Sequence, residues 1–237
     1  MTEYTIHPLC VGINQTDQGI MTYQRGYGQR ILLPIFIWLI KGAGRTILVD
    51  TGMEEFVVPE GAEEELGFPV LEFEEALERH GLTPEKIDLL IQTHLHNDHC
   101  ENTYKCTNAE VIVQRAEWEF ASDPHPLDHR YFPDLIEELK PTLVEGDYRV
   151  EPGIDLIFTP GHTPGGQSVA LRTPAGKAII TGFCCNAKNF PGSGPAVCPG
   201  VHTDALAGYD SAQRVKAEAD IILANHDPAW GRKTTVP

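Results

Sequence analysis

Four potential metal ligands stand within one hexapeptide, His94-Leu95-His96-Asn97-Asp98-His99. Imidazole and carboxylate groups gathered this closely are typical of sites for zinc, manganese or iron. A solvated polar loop is the alternative, but the chain holds only ten histidines in 237 residues, and three of them lie here. The hexapeptide therefore predicts a metal site.

Two further histidines stand in comparable places along the chain. His162 lies in a turn rich in Gly and Pro, residues 160–166, and His226 follows the apolar run 221–224. The hexapeptide also follows an apolar run, and loops at strand ends are where α/β proteins build their sites. Either histidine alone would be taken as structural, but together with the hexapeptide both are predicted metal ligands.

Apolar runs and turn signals predict the elements that must position these loops. We predict strands over 31–40, 46–49, 87–92, 111–114, 154–159, 168–172, 177–181 and 221–224, with helices over 72–80, 115–121 and 204–219. This alternation is typical of the α/β class. A chain of 237 residues suits one domain, predicted to span 1–237.

The composition excludes several classes of partner. With 34 acidic and 18 basic residues, the net charge is −16, which argues against nucleic acid or an anionic membrane. The N-terminus lacks the pattern of a signal peptide, and the most apolar run is too short to span a bilayer. We therefore expect a cytoplasmic protein with a small-molecule substrate and six free cysteines, and a homodimer is possible.

The sequence resembles the metallo-β-lactamase superfamily, and within it most closely the N-acyl homoserine lactone lactonases. The matching motifs are Leu48-Val49-Asp50-Thr51-Gly52, Thr93 with the hexapeptide, Thr159-Pro160-Gly161-His162-Thr163-Pro164-Gly165 and Asn225-His226-Asp227. Their order and approximate separations agree, so the resemblance covers nearly the whole chain. It implies an αββα sandwich with a metal site at one edge of the two sheets.

The resemblance also implies a set of ligands. His94, His96 and His162 would hold one metal ion, and a second ion would be held by Asp98, His99 and His226. Zinc is the expected cofactor, as one or two ions, with manganese or iron possible. Asp50 would orient the ligands by hydrogen bonding, although an ordinary turn residue is an equally good interpretation of it.

One departure from the family pattern concerns a bridging aspartate. The family usually carries it after the strand predicted over 177–181, where this chain reads Gly182-Phe183-Cys184-Cys185. Strand alternation puts Phe183 toward the metals and Cys184 away from them. A one-residue bulge would instead bring Cys184 inward as a thiolate ligand. Without a carboxylate there, we expect the second site to be weaker, selective for another metal, or empty.

The resemblance implies a metal-dependent hydrolase that opens a small lactone, ester or amide with a metal-bound hydroxide. Asp98 would orient the nucleophile and pass its proton to the leaving group, and a second metal or a hydrogen-bond donor such as Asn186 would stabilise the oxyanion. Related lactonases carry a tyrosine near the position of Asn186, which weighs against acyl homoserine lactone as the substrate. Two alternatives stay open: a mononuclear iron oxidoreductase acting on a sulfur-containing substrate, and a non-catalytic metal- or ligand-binding protein.

Overall fold

Eleven strands and six α-helices follow one another in the part of the chain that this computed structural model describes, residues 4–42 and 44–236. The strands are β1 (Thr5–Asp17), β2 (Arg30–Gly42), β3 (Arg45–Val49), β4 (Leu89–Ile91), β5 (Glu110–Gln114), β6 (Thr142–Val144), β7 (Tyr148–Glu151), β8 (Ile154–Phe158), β9 (Gln167–Thr173), β10 (Gly176–Ile180) and β11 (Ile221–Leu223). The helices are α1 (Gln18–Met21), α2 (Ala62–Leu66), α3 (Phe73–Glu78), α4 (Asn97–Cys100), α5 (Arg115–Ser122) and α6 (Ala205–Glu218). The predicted outer bounds of the domain, Met1 and Pro237, lie outside the described residues, so a single domain over 1–237 stays a prediction.

The strands form two sheets. The first has the order β1-β2-β3-β4-β5-β6 and the second the order β11-β10-β9-β8-β7. Strands β3 to β6 are parallel to one another, β11 is parallel to β10, and the remaining neighbours are antiparallel. The parallel strands are joined through helices, as parallel pairing requires a long crossover.

Strand β2 shows how the layers are built. Phe36, Trp38 and Ile40 pack in the apolar core that both sheets share, whereas Ile37 and Leu39 pack on the opposite face in a cluster with residues of α3. The second sheet has the same arrangement, because residues of β10 pack on one face in the shared core and on the other against α6. Strands covered on both faces are continuously apolar. The predicted αββα sandwich is confirmed.

The predicted strands and helices are all present, with ends shifted by a few residues. Strand β1, the two short strands β6 and β7, and helices α1, α2 and α4 were not predicted. None of the helices in the described ranges has the length and apolar character needed to cross a membrane.

The ends of several strands meet at one edge of the sandwich. Asp50 follows β3, and the hexapeptide comes soon after β4. From the second sheet, His162 follows β8 and His226 follows β11. Loops from both sheets therefore supply polar side chains to the same edge.

Candidate metal centre

The six predicted ligands form two adjacent groups. In the first group, ligand atoms of His94, His96 and His162 all lie within 4.8 Å of one another. In the second group, the same holds for Asp98, His99 and His226. The rings of His94 and His99 have centroids only 4.0 Å apart, so the groups are neighbours. The structure brings together every predicted ligand except Cys184.

A change in backbone conformation divides the hexapeptide between the two groups. His96 is still extended, with φ −66° and ψ 151°, and helix α4 begins at the next residue. Asp98 and His99 lie within that helical turn. The extended half thus supplies the first group and the helical half supplies the second.

Each site histidine engages one ring nitrogen with a polar group behind it. Such contacts fix the tautomer and orientation of a ring whose other nitrogen binds a metal. The contacts are His94 Nδ1 to Thr93 Oγ1 (3.0 Å), His96 Nε2 to Asp128 Oδ2 (3.4 Å), His99 Nδ1 to Asp50 Oδ2 (2.8 Å), His162 Nδ1 to the Val201 carbonyl (2.8 Å) and His226 Nδ1 to the Pro34 carbonyl (2.9 Å).

The first group fits a divalent cation. The Nε2 atom of His94 is buried and has no hydrogen-bond partner, and an unsatisfied buried nitrogen is costly unless something binds it. Burial and the neighbouring imidazoles lower the pKa of His94 well below its usual value, and burial does the same for His162. Both rings are therefore neutral at physiological pH, which is the form that coordinates a metal.

The second group carries charge. Burial alone would lower the pKa of His99, but Asp98 and Asp50 raise it above the usual value. Burial would raise the pKa of Asp98, and the imidazoles of His99 and His226 lower it instead. Burial, with the charge of His99, lowers the pKa of His226 to about 4. A carboxylate between two imidazoles also fits a divalent cation.

Asp50 orients ligands of both groups. It is fully buried and has a positive φ of 61°, a conformation that Asp tolerates better than most residues. Its carboxylate accepts hydrogen bonds from the main-chain N–H of Thr93 (2.7 Å), from the Thr93 hydroxyl (2.8 Å) and from His99. It therefore reaches His99 directly and His94 through Thr93.

Glu117 is a second buried carboxylate at the site, and the sequence did not predict it. Its carboxylate accepts hydrogen bonds from the main-chain N–H of Leu95 (2.9 Å), from the main-chain N–H of Gly165 (3.0 Å) and from the Tyr131 hydroxyl (2.8 Å). Leu95 lies between two ligands of the first group, and Gly165 lies three residues after the third. Glu117 thus joins the two loops that carry that group.

The expected orientations of Phe183 and Cys184 are reversed in the structure. Cys184 lines the cavity that contains the ligands, whereas Phe183 packs in the cluster beneath α6, with its ring centroid 6.3 Å from that of Phe190. The reason is that β10 ends at Ile180 and the chain bends over residues 182–184, so strand alternation no longer applies.

Cys184 is not shown to be a ligand. Among the described residues it belongs to neither group of ligand atoms, and its thiol contacts Met21 Sδ at 3.4 Å. Burial, with Asp98 next, raises the pKa of this thiol. Its role as a metal ligand stays a prediction.

Asn186 is not brought to the ligands. Its side chain caps a short 3₁₀ turn by accepting from the Lys188 N–H, and it donates to Gln18 Oε1 at 3.2 Å. It lines a different surface cavity from the one that contains the histidines. The predicted oxyanion role is not supported by this placement, because the amide is already engaged elsewhere.

A cavity of about 290 Å³ opens onto both groups. It combines polar, apolar and charged side chains, which suits a small molecule of mixed character. Besides the six ligands and Cys184, it is lined by Asn14, Gln15, Thr16, Ile20, Leu33, Asn97, Arg130 and Val201. All six cysteines are free and buried, as expected.

The sequence profile of the metallo-β-lactamase superfamily matches residues 30–182, more than half of the chain. The chain belongs to the metallo-β-lactamase superfamily. An N-acyl homoserine lactonase of Bacillus cereus is 35% identical to it over 224 residues and 84% of each chain. The N-acyl homoserine lactonase AiiA of Bacillus thuringiensis subsp. kurstaki is 32% identical over 231 residues, again 84% of each chain.

Solved structures agree with these relatives. A crystal structure of a B. thuringiensis AiiA mutant with N-decanoyl-L-homoserine at the active site has a TM-score of 0.76 and 28% identity, and it covers 96% of this chain and 94% of its own. A structure of N-acyl homoserine lactone hydrolase with the product N-hexanoyl-L-homoserine at the catalytic metal centre has a TM-score of 0.75 and 30% identity, with coverage of 96% and 94%.

This member of the metallo-β-lactamase superfamily is a metal-dependent hydrolase. The predicted fold, family and reaction class are confirmed together by the two ligand groups and by the lactonase relatives. The lactonase relatives favour hydrolysis over the two alternatives, an iron oxidoreductase and a non-catalytic binding protein.

Proposed function

We propose that this protein is a zinc-dependent lactonase that opens the ring of N-acyl homoserine lactones. The observation that carries the proposal is the pair of ligand groups facing one cavity of about 290 Å³. Ile20, Leu33 and Val201 give that cavity an apolar part for an acyl chain. The lactonase relatives act on this class of substrate.

The residues of the site have two roles in the proposed reaction, metal binding and proton transfer. His94, His96 and His162 would hold one ion, and Asp98, His99 and His226 a second. A divalent ion supplies Lewis acidity and lowers the pKa of water toward neutrality when it is bound. Asp98 lines the cavity, and its lowered pKa keeps it ionised at neutral pH. It accepts the proton of the attacking water and passes it to the ring oxygen that leaves.

Occupancy of the two groups is a further part of the proposal. Only Asp98 contributes a negative charge to the six ligands, so two adjacent cations would repel each other with little compensation. We therefore expect one tightly held zinc per chain and a second ion that is weaker or absent after purification. Elemental analysis after dialysis measures this ratio, and two tightly held ions per chain would contradict it.

Location and assembly are also part of the proposal. Six buried, free cysteines within the described ranges fit a reducing compartment such as the cytoplasm. A homodimer is also proposed, and analytical ultracentrifugation of the full chain distinguishes it from a monomer.

Ring opening of N-hexanoyl homoserine lactone, followed by acid release at constant pH, tests the proposed function. We expect activity in the zinc-loaded protein, loss after chelation and recovery on adding zinc. His162→Ala should be inactive, and the matched control His80→Ala, which removes a histidine outside both groups, should be active. Undiminished activity after chelation would refute the proposal, and so would oxygen consumption with a persulfide in place of lactone opening.

A further inference from the structure

Arg130 stands apart among the residues that line the metal cavity. It is the only lysine or arginine among the described lining residues, in a chain whose net charge is −16. The guanidinium pairs with Asp128, which also contacts Nε2 of the ligand His96 at 3.4 Å. Arg130 therefore lies beside the first ligand group.

The arginine is held in one position. Its Nε donates to Asp128 Oδ1 and its Nη2 donates to Asp128 Oδ2, both at 2.7 Å. Its main-chain carbonyl accepts a hydrogen bond from the N–H of Asn97 at 3.0 Å, at the start of helix α4. A two-point side-chain contact and a main-chain contact to the ligand helix make this a preorganised group.

Hydrogen-bonding capacity remains on the guanidinium. An arginine has five N–H donors, and the pairing with Asp128 uses two of them. The Nη1 atom makes no hydrogen bond to the described residues. A cationic donor on the wall of a cavity is suited to a carbonyl or carboxylate oxygen of a ligand.

The position of Asp128 indicates which part of a bound substrate Arg130 would contact. Its Oδ2 atom contacts both Arg130 and Nε2 of His96, the latter at 3.4 Å. Asp128 thus connects the guanidinium to a ligand of the first group, and Arg130 itself is not one of the ligands. This position beside the ligand group suits contact with a substituent of the ring more than with the ester that is broken.

We propose that Arg130 is a specificity-determining residue that donates a hydrogen bond to the amide carbonyl oxygen of the substituent on the lactone ring. This inference rests on the proposed lactonase function. It predicts a preference for lactones with an acylamino group over lactones with a bare ring. Charge-assisted hydrogen bonds to a fixed donor are among the stronger polar contacts.

The test compares two substrates in the zinc-loaded full chain. N-Hexanoyl homoserine lactone carries the amide, and γ-butyrolactone lacks it. For Arg130→Gln we expect kcat/KM to fall about 10- to 100-fold with the first substrate, mainly through KM, and to stay within about threefold with the second. Arg130→Lys keeps the charge but not the two-point contact with Asp128, so it should recover part of the loss.

Arg149→Gln is the matched control. Arg149 pairs with Asp155 through the same two atoms, Nε at 2.7 Å and Nη2 at 3.4 Å, but it lies outside the metal cavity. It should behave as wild type with both substrates. Zinc content and melting temperature of every variant show whether the site itself has changed.

The outcomes separate this proposal from the proposed function. Equal losses with both substrates, or loss of zinc, would overturn the role of Arg130, because it would then act through the metal site. No effect on either substrate would overturn it as well. A wild-type chain that opens neither lactone refutes the lactonase function. Calorimetry with N-hexanoyl-homoserine then decides on Arg130: weaker binding to Arg130→Gln supports the contact, and equal binding overturns it.

Discussion

The two ligand groups are supported in different ways. Glu117 supports the first group through main-chain N–H groups, at Leu95 and Gly165. Asp50 reaches the first group only through Thr93, but it supports the second group through a ligand side chain, because it accepts directly from the ring of His99. A carboxylate that binds main chain fixes where loops lie, whereas one that binds a ligand ring also tunes that ligand.

The groups also differ in charge. The first consists of three imidazoles whose pKa values are lowered, by burial above all, so it is neutral before a cation arrives. In the second, the pKa of His99 is raised despite burial because Asp98 and Asp50 lie beside it. The first group therefore needs no deprotonation before it binds a cation. In the second group, the carboxylates of Asp98 and Asp50 already stabilise a protonated His99.

The largest expected effect is the loss of a ligand from the first group. His162→Ala should lower kcat/KM by about 10³-fold or more, since the metal-derived nucleophile and its charge stabilisation are lost together. His226→Ala, in the second group, should lower it by only about 10- to 100-fold. Kinetics with elemental analysis measure both. Equal losses from the two variants would show that the groups do not differ in importance.

Asp50→Asn should weaken zinc binding about 10- to 100-fold, because the amide cannot accept from Thr93 and His99 as the carboxylate does. Competition with a chromophoric chelator measures the affinity. The effect should reach both groups, since Asp50 serves His99 directly and His94 through Thr93. If only the ion of the second group binds more weakly, Asp50 does not influence His94 through Thr93.

Glu117→Gln should lower the free energy of unfolding more than it lowers the affinity for zinc. The variant places an amide group among three donors, so at least one buried donor loses its acceptor, which costs about 1 to 3 kcal/mol in the free energy of unfolding. Denaturant unfolding of the metal-free chain measures this. An unchanged free energy of unfolding with weakened zinc binding would reverse the distinction drawn between Glu117 and Asp50.

The sequence predicted those site residues that short, continuous sequence patterns reveal. The hexapeptide carries four ligands in six residues, and the other two ligands follow apolar runs whose strand character was clear. Glu117 could not be found this way, because its partners lie 22 and 48 residues away. A glutamate on a short helix is more often solvated than buried.

The fold shows the same limit. Strand β2 was predictable since apolar side chains cover both of its faces, whereas β1 contains Pro8 and Gly12 and a register shift between Cys10 and Gly12, which obscure its pattern. The error at Phe183 came from extending strand alternation past Ile180. Gly182 permits the close approach of the chain to Gln167 at this point, because a side chain here would collide with the main chain of Gln167.

Cys184→Asp tests whether the shortage of negative charge limits metal binding by the second group. The residue lines the cavity, and the charge of Asp98 contributes to the raised pKa of its thiol, so a carboxylate here would add negative charge near the second group. We expect the second zinc to bind about tenfold more tightly, which corresponds to roughly 1.4 kcal/mol.

Cys184→Asn is the matched control, because it has the same shape without the charge, and it should leave the zinc affinity of the second group unchanged. The metal-free Asp variant should melt at a lower temperature than the Asn variant, since two carboxylates in the same cavity then repel each other until a cation arrives. Equal zinc affinities in the two variants would mean that charge at this position does not limit the second group.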